Sequence, residues 1–246
     1  MTPDLTAQLL LAAYAVIAAG IVVWQAIRFS SGWRAWIVLT PCRVYGRCAF
    51  RWRANRRCPL PITGPAIILA NHRSPVDPIL IGIELARDRT IGYMMAREYY
   101  ETPVLHWMCA AVHSIPVERD GSDMASARAA LRRVQAGELL GVFPEGRINR
   151  GTDLLPGNPG IAWLALRSKV PVYPVFIHNA PQGRTLLESF FRFTKVRVTY
   201  GDPIDVSVFL SQPLSSEAIH DASQLMMQRL ADLAGVGTAR DEAPPA

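Results

Sequence analysis

Acidic residues are missing from a long stretch of this chain. None occurs between Asp4 and Asp77, while Arg28, Arg34, Arg43, Arg47, Arg51, Arg53, Arg56 and Arg57 put eight positive charges into thirty residues. The net charge of +6 belongs to that segment, because the other 18 basic residues face 20 acidic ones. This division argues against a general polyanion binder and against nucleic acid as the partner. Long apolar runs are scarce too, which excludes a polytopic membrane protein. Disorder is excluded by a composition that is 50% hydrophobic. Glycine-rich phosphate loops and internal repeats are absent. The four cysteines, Cys42, Cys48, Cys58 and Cys109, have no metal-ligand spacing and read as free thiols on the cytoplasmic side of a membrane.

The one long apolar run is Leu5 to Ile27, 23 residues without a charge. As a helix it spans about 34 Å, enough for the hydrocarbon core of a bilayer. Trp24 and Arg28 stand at its end as interfacial anchors. A signal peptide carries its basic region before the apolar run, whereas here the arginines all follow, so a retained anchor is expected. By the positive-inside rule the remainder of the chain is cytoplasmic. Trp33 to Trp52 interleaves aromatics with arginines, as the headgroup layer of an anionic membrane favours. A monotopic hairpin in one leaflet is the alternative to a spanning helix.

From Leu60 onward short β-rich runs alternate with helical ones. Ala66–Ala70, Ile91–Met95, Ser114–Val117, Leu139–Phe143, Val170–Phe176 and Val196–Tyr200 are expected strands. Pro78–Arg87, Asp123–Gln135, Gly160–Lys169 and Ser216–Leu233 are expected helices. The alternation predicts an α/β fold, a mixed central sheet flanked by helices, preceded by the N-terminal membrane-anchoring helical segment. The expected division is a membrane and interfacial segment over 1–59, a catalytic domain over 60–234 and a disordered tail over 235–246.

Three expected strand ends carry candidate chemistry. After the first comes Asn71-His72-Arg73-Ser74-Pro75-Val76-Asp77-Pro78. Imidazole is the one side chain there suited to proton exchange near neutral pH. Asp77 is placed to fold back across the turn and orient it, giving a general base without a protein nucleophile. The structural alternative makes Asp77 an N-cap before Pro78, or pairs it with Ser74 in a capping box. The second candidate, Phe143-Pro144-Glu145-Gly146-Arg147, offers a hydroxyl acceptor in Glu145 and an oxyanion ligand in Arg147, or else a turn with a solvated ion pair. The third ends at Arg119, a phosphate ligand or a surface arginine. If these strands are neighbours, they form a hydroxyl-activating centre for a phosphate-bearing substrate. Around His72 no second histidine or carboxylate stands at metal-ligand spacing, so no metal and no cofactor is expected.

In these blocks the sequence resembles the glycerolipid acyltransferase family. Asn71-His72-x4-Asp77, Ser114-Ile115-Pro116-Val117-Glu118-Arg119, Phe143-Pro144-Glu145-Gly146 and Val170-Pro171-Val172-Tyr173-Pro174-Val175 match its four blocks in order. The resemblance implies that His72, partnered by Asp77, deprotonates a lysolipid hydroxyl. That hydroxyl attacks the thioester of acyl-CoA or acyl-carrier protein without an acyl-enzyme. It further implies that Arg119, Glu145 and Gly146 help bind a phosphoglycerol acceptor and that Pro174 shapes a substrate pocket. The family's third block usually continues Thr-Arg-Ser, whereas this chain reads Arg147-Ile148-Asn149-Arg150, with the cation moved by one position.

The leading expectation is acylation of the sn-2 hydroxyl of lysophosphatidic acid to phosphatidic acid. The alternatives are transfer to another lysolipid, such as a lysophospholipid or lyso-aminolipid, and a non-catalytic membrane-binding protein. Outside the blocks, Phe190, Phe191 and Phe193 with Arg184, Arg192 and Lys195 mark either a second interfacial contact or a core-packed loop.

Overall fold

The structure, a computed structural model, describes residues 3–85, 89–118, 124–210 and 213–235. Arg119 and the expected tail beyond Gly235 lie outside the described residues. Helix α1 (Pro3–Ile27) is followed by α2 (Gly32–Ala49) and β1 (Arg53–Ala54). Then come β2 (Ala66–Ala70), α3 (Asp77–Ile81), β3 (Ile91–Ala96), α4 (Arg97–Tyr100), α5 (Pro103–Ala111), β4 (Ile115–Val117) and α6 (Met124–Gln135). The remainder is β5 (Leu139–Val142), α7 (Pro159–Ser168), β6 (Val172–His178), α8 (Leu186–Phe190), β7 (Arg197–Tyr200), α9 (Ser207–Leu210) and α10 (Ser216–Ala234).

The strands form one mixed sheet in the order β1-β7-β6-β2-β5-β3-β4. From β6 to β4 all neighbours are parallel; β7 runs antiparallel to β6 and parallel to β1. Parallel strands with both faces covered read as unbroken apolar runs, and every residue of β2 is buried. Ile68 and Ala70 point into a core shared with Phe50, Trp52, Leu80 and Ile81. Ile67 and Leu69 point to the other face, against Ala130 and Val134 of α6, Leu164 of α7 and Met226 of α10. The α/β fold and its mixed sheet are as the alternating pattern predicts, with all six expected strands within two residues of their expected ends.

Two expectations meet a different structure. The helix expected over Pro78–Arg87 is shorter, because α3 tightens into a 3-10 turn over Gly82–Glu84 and the backbone turns extended at Leu85. The aromatic and arginine-rich stretch from Trp33 to Trp52 is divided between solvent and core. Trp33, Ile37 and Val44 are exposed, but Ala35, Val38, Gly46, Phe50 and Trp52 are buried. Gly46 permits this docking, since a Cβ there would stand 2.6 Å from Ile83 Cδ1. Arg43 Nε donates to the Gly82 carbonyl at 3.2 Å and the Trp52 indole to that of Leu80 at 3.0 Å. The sheet therefore starts before residue 60, with Arg53 and Ala54 in register with Arg197 and Val198.

Helix α1 is different in kind. Residues Asp4–Ile27 have a mean hydropathy of 2.1 with none of that span buried, so the helix is long and apolar enough to cross a membrane. In a soluble core helix the same composition would be covered; here Leu10, Leu11, Tyr14 and Val16 are all about 70% exposed. At its end the Arg28 guanidinium lies 5.3 Å from the Trp24 ring centroid.

Phe50 tests where the folded domain begins. Replacing this fully buried ring by alanine is expected to cost about 3–5 kcal/mol. A melt of the detergent-solubilised protein should show a large drop; an unchanged melting temperature would place Phe50 outside the cooperative unit.

Candidate active site

The strand order sets the site. β2 lies between β6 and β5, so the segments leaving β2 and β5 emerge side by side at the same sheet edge, where parallel α/β sheets place functional groups. Asn71 continues the ladder with its side chain. Its Nδ2 donates to the Ile177 carbonyl at 3.1 Å and its Oδ1 accepts from the Ile177 N–H at 2.7 Å. His72 is the first residue past that clamp.

Asp77 does fold back across the turn. Its Oδ2 lies 2.9 Å from His72 Nδ1 and accepts the backbone N–H groups of Arg73 at 2.6 Å and Ser74 at 2.8 Å. Asp77 is not the N-cap, since it is the first helical residue and Val76 is the cap without a side-chain cap bond, but its acceptance of the Ser74 N–H is one half of a capping box. The carboxylate is wholly buried, and its Oδ1 has no hydrogen-bond partner among the described residues. Burial pushes the Asp77 carboxyl above its ordinary value, against the opposing pull of His72 and the two backbone donors. The imidazole is 18% exposed, and its Nε2 has no partner among the described residues. It stacks on Phe143, with ring centroids 4.1 Å apart, and Phe143 lies against Tyr93 in turn. Gly141 makes room for this column, because a Cβ there would sit 2.1 Å from the Tyr93 ring. Burial holds the Tyr93 hydroxyl well above its ordinary pKa, leaving it a neutral donor to the Pro78 carbonyl at 3.2 Å.

The segment after β5 holds His72 by its backbone. Glu145 Oε1 accepts the His72 N–H at 2.9 Å, and the Asn149 N–H donates to the His72 carbonyl at 2.7 Å. Glu145 Oε2 accepts from Asn149 Nδ2 and, at 3.1 Å, from the Leu155 N–H. Glu145 is buried with both oxygens engaged, so it positions the histidine rather than offering an acceptor to a substrate hydroxyl. Gly146 is needed for its left-handed backbone, φ +66°, at the turn. Arg147 beyond it is exposed, with no ion pair among the described residues.

The structure brings His72, Asp77 and Glu145 together and sets Gly146 and Arg147 at their rim. Glu118, before Arg119, pairs with Arg97 at the far side of the sheet, beyond β3. Pro174 is buried within β6, in register with Leu69 and against Gly201, so it packs the sheet rather than lining a substrate pocket. Two positioning residues carried no functional signal in the sequence. Arg73 is buried and donates to the carbonyls of Gly151 and Thr152, pinning the 149–153 loop. Asn149 braces the same loop by accepting the Gly151 N–H at 2.9 Å. An arginine placed just past the end of a buried apolar strand was the one available hint.

No three of the described His, Cys, Asp and Glu residues are grouped to hold a metal. The four cysteines are unpaired, and burial raises Cys109 to about 11, leaving it unreactive. Ser74 is the hydroxyl nearest in sequence to the imidazole, but it is buried and donates to the Pro181 carbonyl at 2.5 Å. The geometry thus offers an oriented imidazole suited to general-base work, with no serine or cysteine nucleophile on it among the described residues.

Residues 52–178 match the family described as Acyltransferase. That match covers more than half of the chain, and the chain belongs to this family of acyl-transfer enzymes, the glycerolipid acyltransferases whose four blocks it carries. Among its relatives is the 1-acyl-sn-glycerol-3-phosphate acyltransferase of Bacillus subtilis, 25% identical over 174 residues that cover 71% of this chain and 83% of that one. The enzyme of the same name from Limnanthes douglasii is 33% identical over 115 residues, 46% of this chain and 40% of the relative. The crystal structure of the 1-acyl-sn-glycerophosphate (LPA) acyltransferase PlsC from Thermotoga maritima superposes with a TM-score of 0.63 at 21% identity. It covers 94% of this chain and 95% of that one, which shows a shared fold.

Two substitutions separate positioning from packing. Asp77→Asn keeps an oxygen for the two backbone donors and puts an N–H₂ group where Oδ1 lacks a partner. Because the folded state binds the Asp77 proton more tightly than the unfolded chain, this group's contribution to stability falls as pH rises above the ordinary value of 3.8. The variant should therefore melt no lower than wild type at neutral pH while losing on the order of a hundredfold or more in turnover. Glu145→Gln should lower kcat with little change in the acceptor KM; a selective rise in KM would return Glu145 to the substrate.

Proposed function

We propose that this enzyme transfers a fatty acyl group from acyl-CoA or acyl-carrier protein to the sn-2 hydroxyl of lysophosphatidic acid, giving phosphatidic acid. The observation that carries the mechanism is the 2.9 Å contact between His72 Nδ1 and a buried Asp77, which leaves Nε2 without a partner among the described residues. Nε2 takes the proton of the acceptor hydroxyl as its oxygen attacks the thioester carbonyl. Collapse of the tetrahedral intermediate breaks the carbon–sulfur bond, and the departing thiolate recovers the proton from the imidazolium. Asp77 fixes the tautomer and stabilises the cation that forms. No acyl-enzyme intervenes, in keeping with the engagement of Ser74 by Pro181.

The acceptor assignment is supported by the relatives' names and by Arg147, an exposed cation at the rim that suits a phosphomonoester. Arg119, which lies outside the described residues, is a phosphate ligand by the family resemblance alone. The arginines that follow α1 favour a cytoplasmic catalytic domain on an anionic membrane.

Membranes containing wild type or His72→Ala, supplied with labelled lysophosphatidate and acyl-CoA, test the base. The variant should lose on the order of a hundredfold or more in phosphatidate formation; equal rates would remove His72 from the mechanism. A panel of lysophospholipid and lyso-aminolipid acceptors, each with both donors, tests the substrate. Preference for an acceptor without a phosphomonoester would overturn the lysophosphatidate assignment and leave acyl transfer standing.

A further inference from the structure

A recess opens on the sheet edge that carries His72, two strands away from it. Arg51, Arg53, Asn179, Lys195, Val196 and Arg197 line it. The topology explains the convergence. β6 ends at His178, β7 runs antiparallel to β6 and parallel to β1, so the start of β7 and of β1 meet the end of β6. Arg53 is in register with Arg197, and Arg197 with His178. Asn179 Nδ2 donates to the Lys195 carbonyl at 3.4 Å, and Arg51 turns into the recess with a left-handed φ of +42°. All four cations are exposed, and none of them pairs with a carboxylate among the described residues. Like charges so close repel one another unless an anion or solvent answers them.

An exposed apolar surface adjoins the recess. The segment between α8 and β7 leaves Phe191 62% and Phe193 70% exposed. The chain segment is not loose: Phe190 stacks on Tyr45 of α2 with ring centroids 4.1 Å apart, and the Tyr45 hydroxyl donates to the Phe190 carbonyl at 2.6 Å. The aromatic loop is thus divided between core and surface, with Phe190 packed and Phe191 and Phe193 outward. It is tied to the helix that follows α1, and α2 itself delivers the chain to Arg51 and β1. Aromatic rings beside uncompensated guanidinium and ammonium groups, on a segment tied to the helix that follows α1, have the composition of a headgroup-layer contact.

We propose that Arg51, Arg53, Lys195 and Arg197, with Phe191 and Phe193, form a second membrane contact that binds the phosphates of anionic lipid, apart from the acceptor site at His72. The rings enter the boundary between headgroups and acyl chains while the cations hold lipid phosphate. Because the recess and His72 share one sheet edge, this contact would turn the catalytic mouth toward the lipid surface. The proposal goes beyond the acyl-transfer reading and does not depend on turnover.

The full chain reconstituted in phosphatidylcholine vesicles, with and without phosphatidylglycerol, provides the test by hydrogen exchange. Amides from residues 186–197 should gain protection as phosphatidylglycerol is added, by several-fold in exchange rate. Arg53→Glu/Lys195→Glu should lose that gain while melting as wild type does in neutral detergent, because both side chains are exposed. Wild type alone decides the case if the double variant fails to fold. Equal protection in neutral vesicles overturns the proposal. So does matching protection by inorganic phosphate in neutral vesicles, which would make the recess a site for soluble anions. Since exchange is read without substrate, its failure is distinct from any failure of the acyl-transfer assignment.

Discussion

The Asp77 carboxylate must be held inside the protein, and the shape of the site follows from how that is done. An ion removed from water needs donors, and the chain supplies three of them to Oδ2 from the turn 72–74. Two are backbone N–H groups, which fix the path of the turn, and the third is the imidazole, which fixes its own direction. Oδ1 remains without a partner, so the carboxylate is incompletely compensated. A buried anion in that condition gains most when its neighbour becomes cationic. In the proposed reaction this anion lies against the ring on which positive charge would form, which is where transition-state stabilisation is useful.

The same economy of strand ends organises the rest. Asn71 ties β2 to β6, Glu145 and Asn149 tie the segment after β5 to both sides of the His72 peptide, and Arg73 holds the loop beyond. Asn71, Arg73 and Glu145 each meet backbone groups of a neighbouring strand or the segment after it, Asn149 braces its own loop, and all four are buried. The His72 imidazole is therefore braced from two strands and by an aromatic column, while Arg147 stands at the rim free to adapt.

The sheet was legible because its strands are short apolar runs bounded by turn residues. Ala66–Ala70 could be placed to the residue, since a central parallel strand has no polar position to blur its limits. The histidine–aspartate dyad was legible as a spacing, though the spacing alone could not separate capping from catalysis; the structure puts the carboxylate on His72 Nδ1 and on the backbone of the turn 73–74, with Val76 as the cap. What remained hidden depended on contacts distant in sequence. Glu145 reads like a substrate acceptor until the backbone N–H of His72, 73 residues away in sequence, is found on it. Likewise α2 resembles an interfacial helix until Gly46 meets Ile83, because periodicity does not say what covers a face. Helices α4 and α5 escaped notice as well, lying in a stretch with no strong apolar period.

The docking of α2 has a mechanical consequence. It joins the 3-10 turn through Arg43 and Gly46, the core through Phe50 and the α8 segment through Tyr45. The connection between α2 and the sheet is therefore a bracket and not a swivel. A surface that takes up the exposed Trp33 and Ile37 of α2 would set the height and tilt of His72 above it. An acceptor confined to a plane then meets the imidazole by lateral diffusion at one set depth, so changing the angle of that bracket would alter turnover without touching any group that handles the proton.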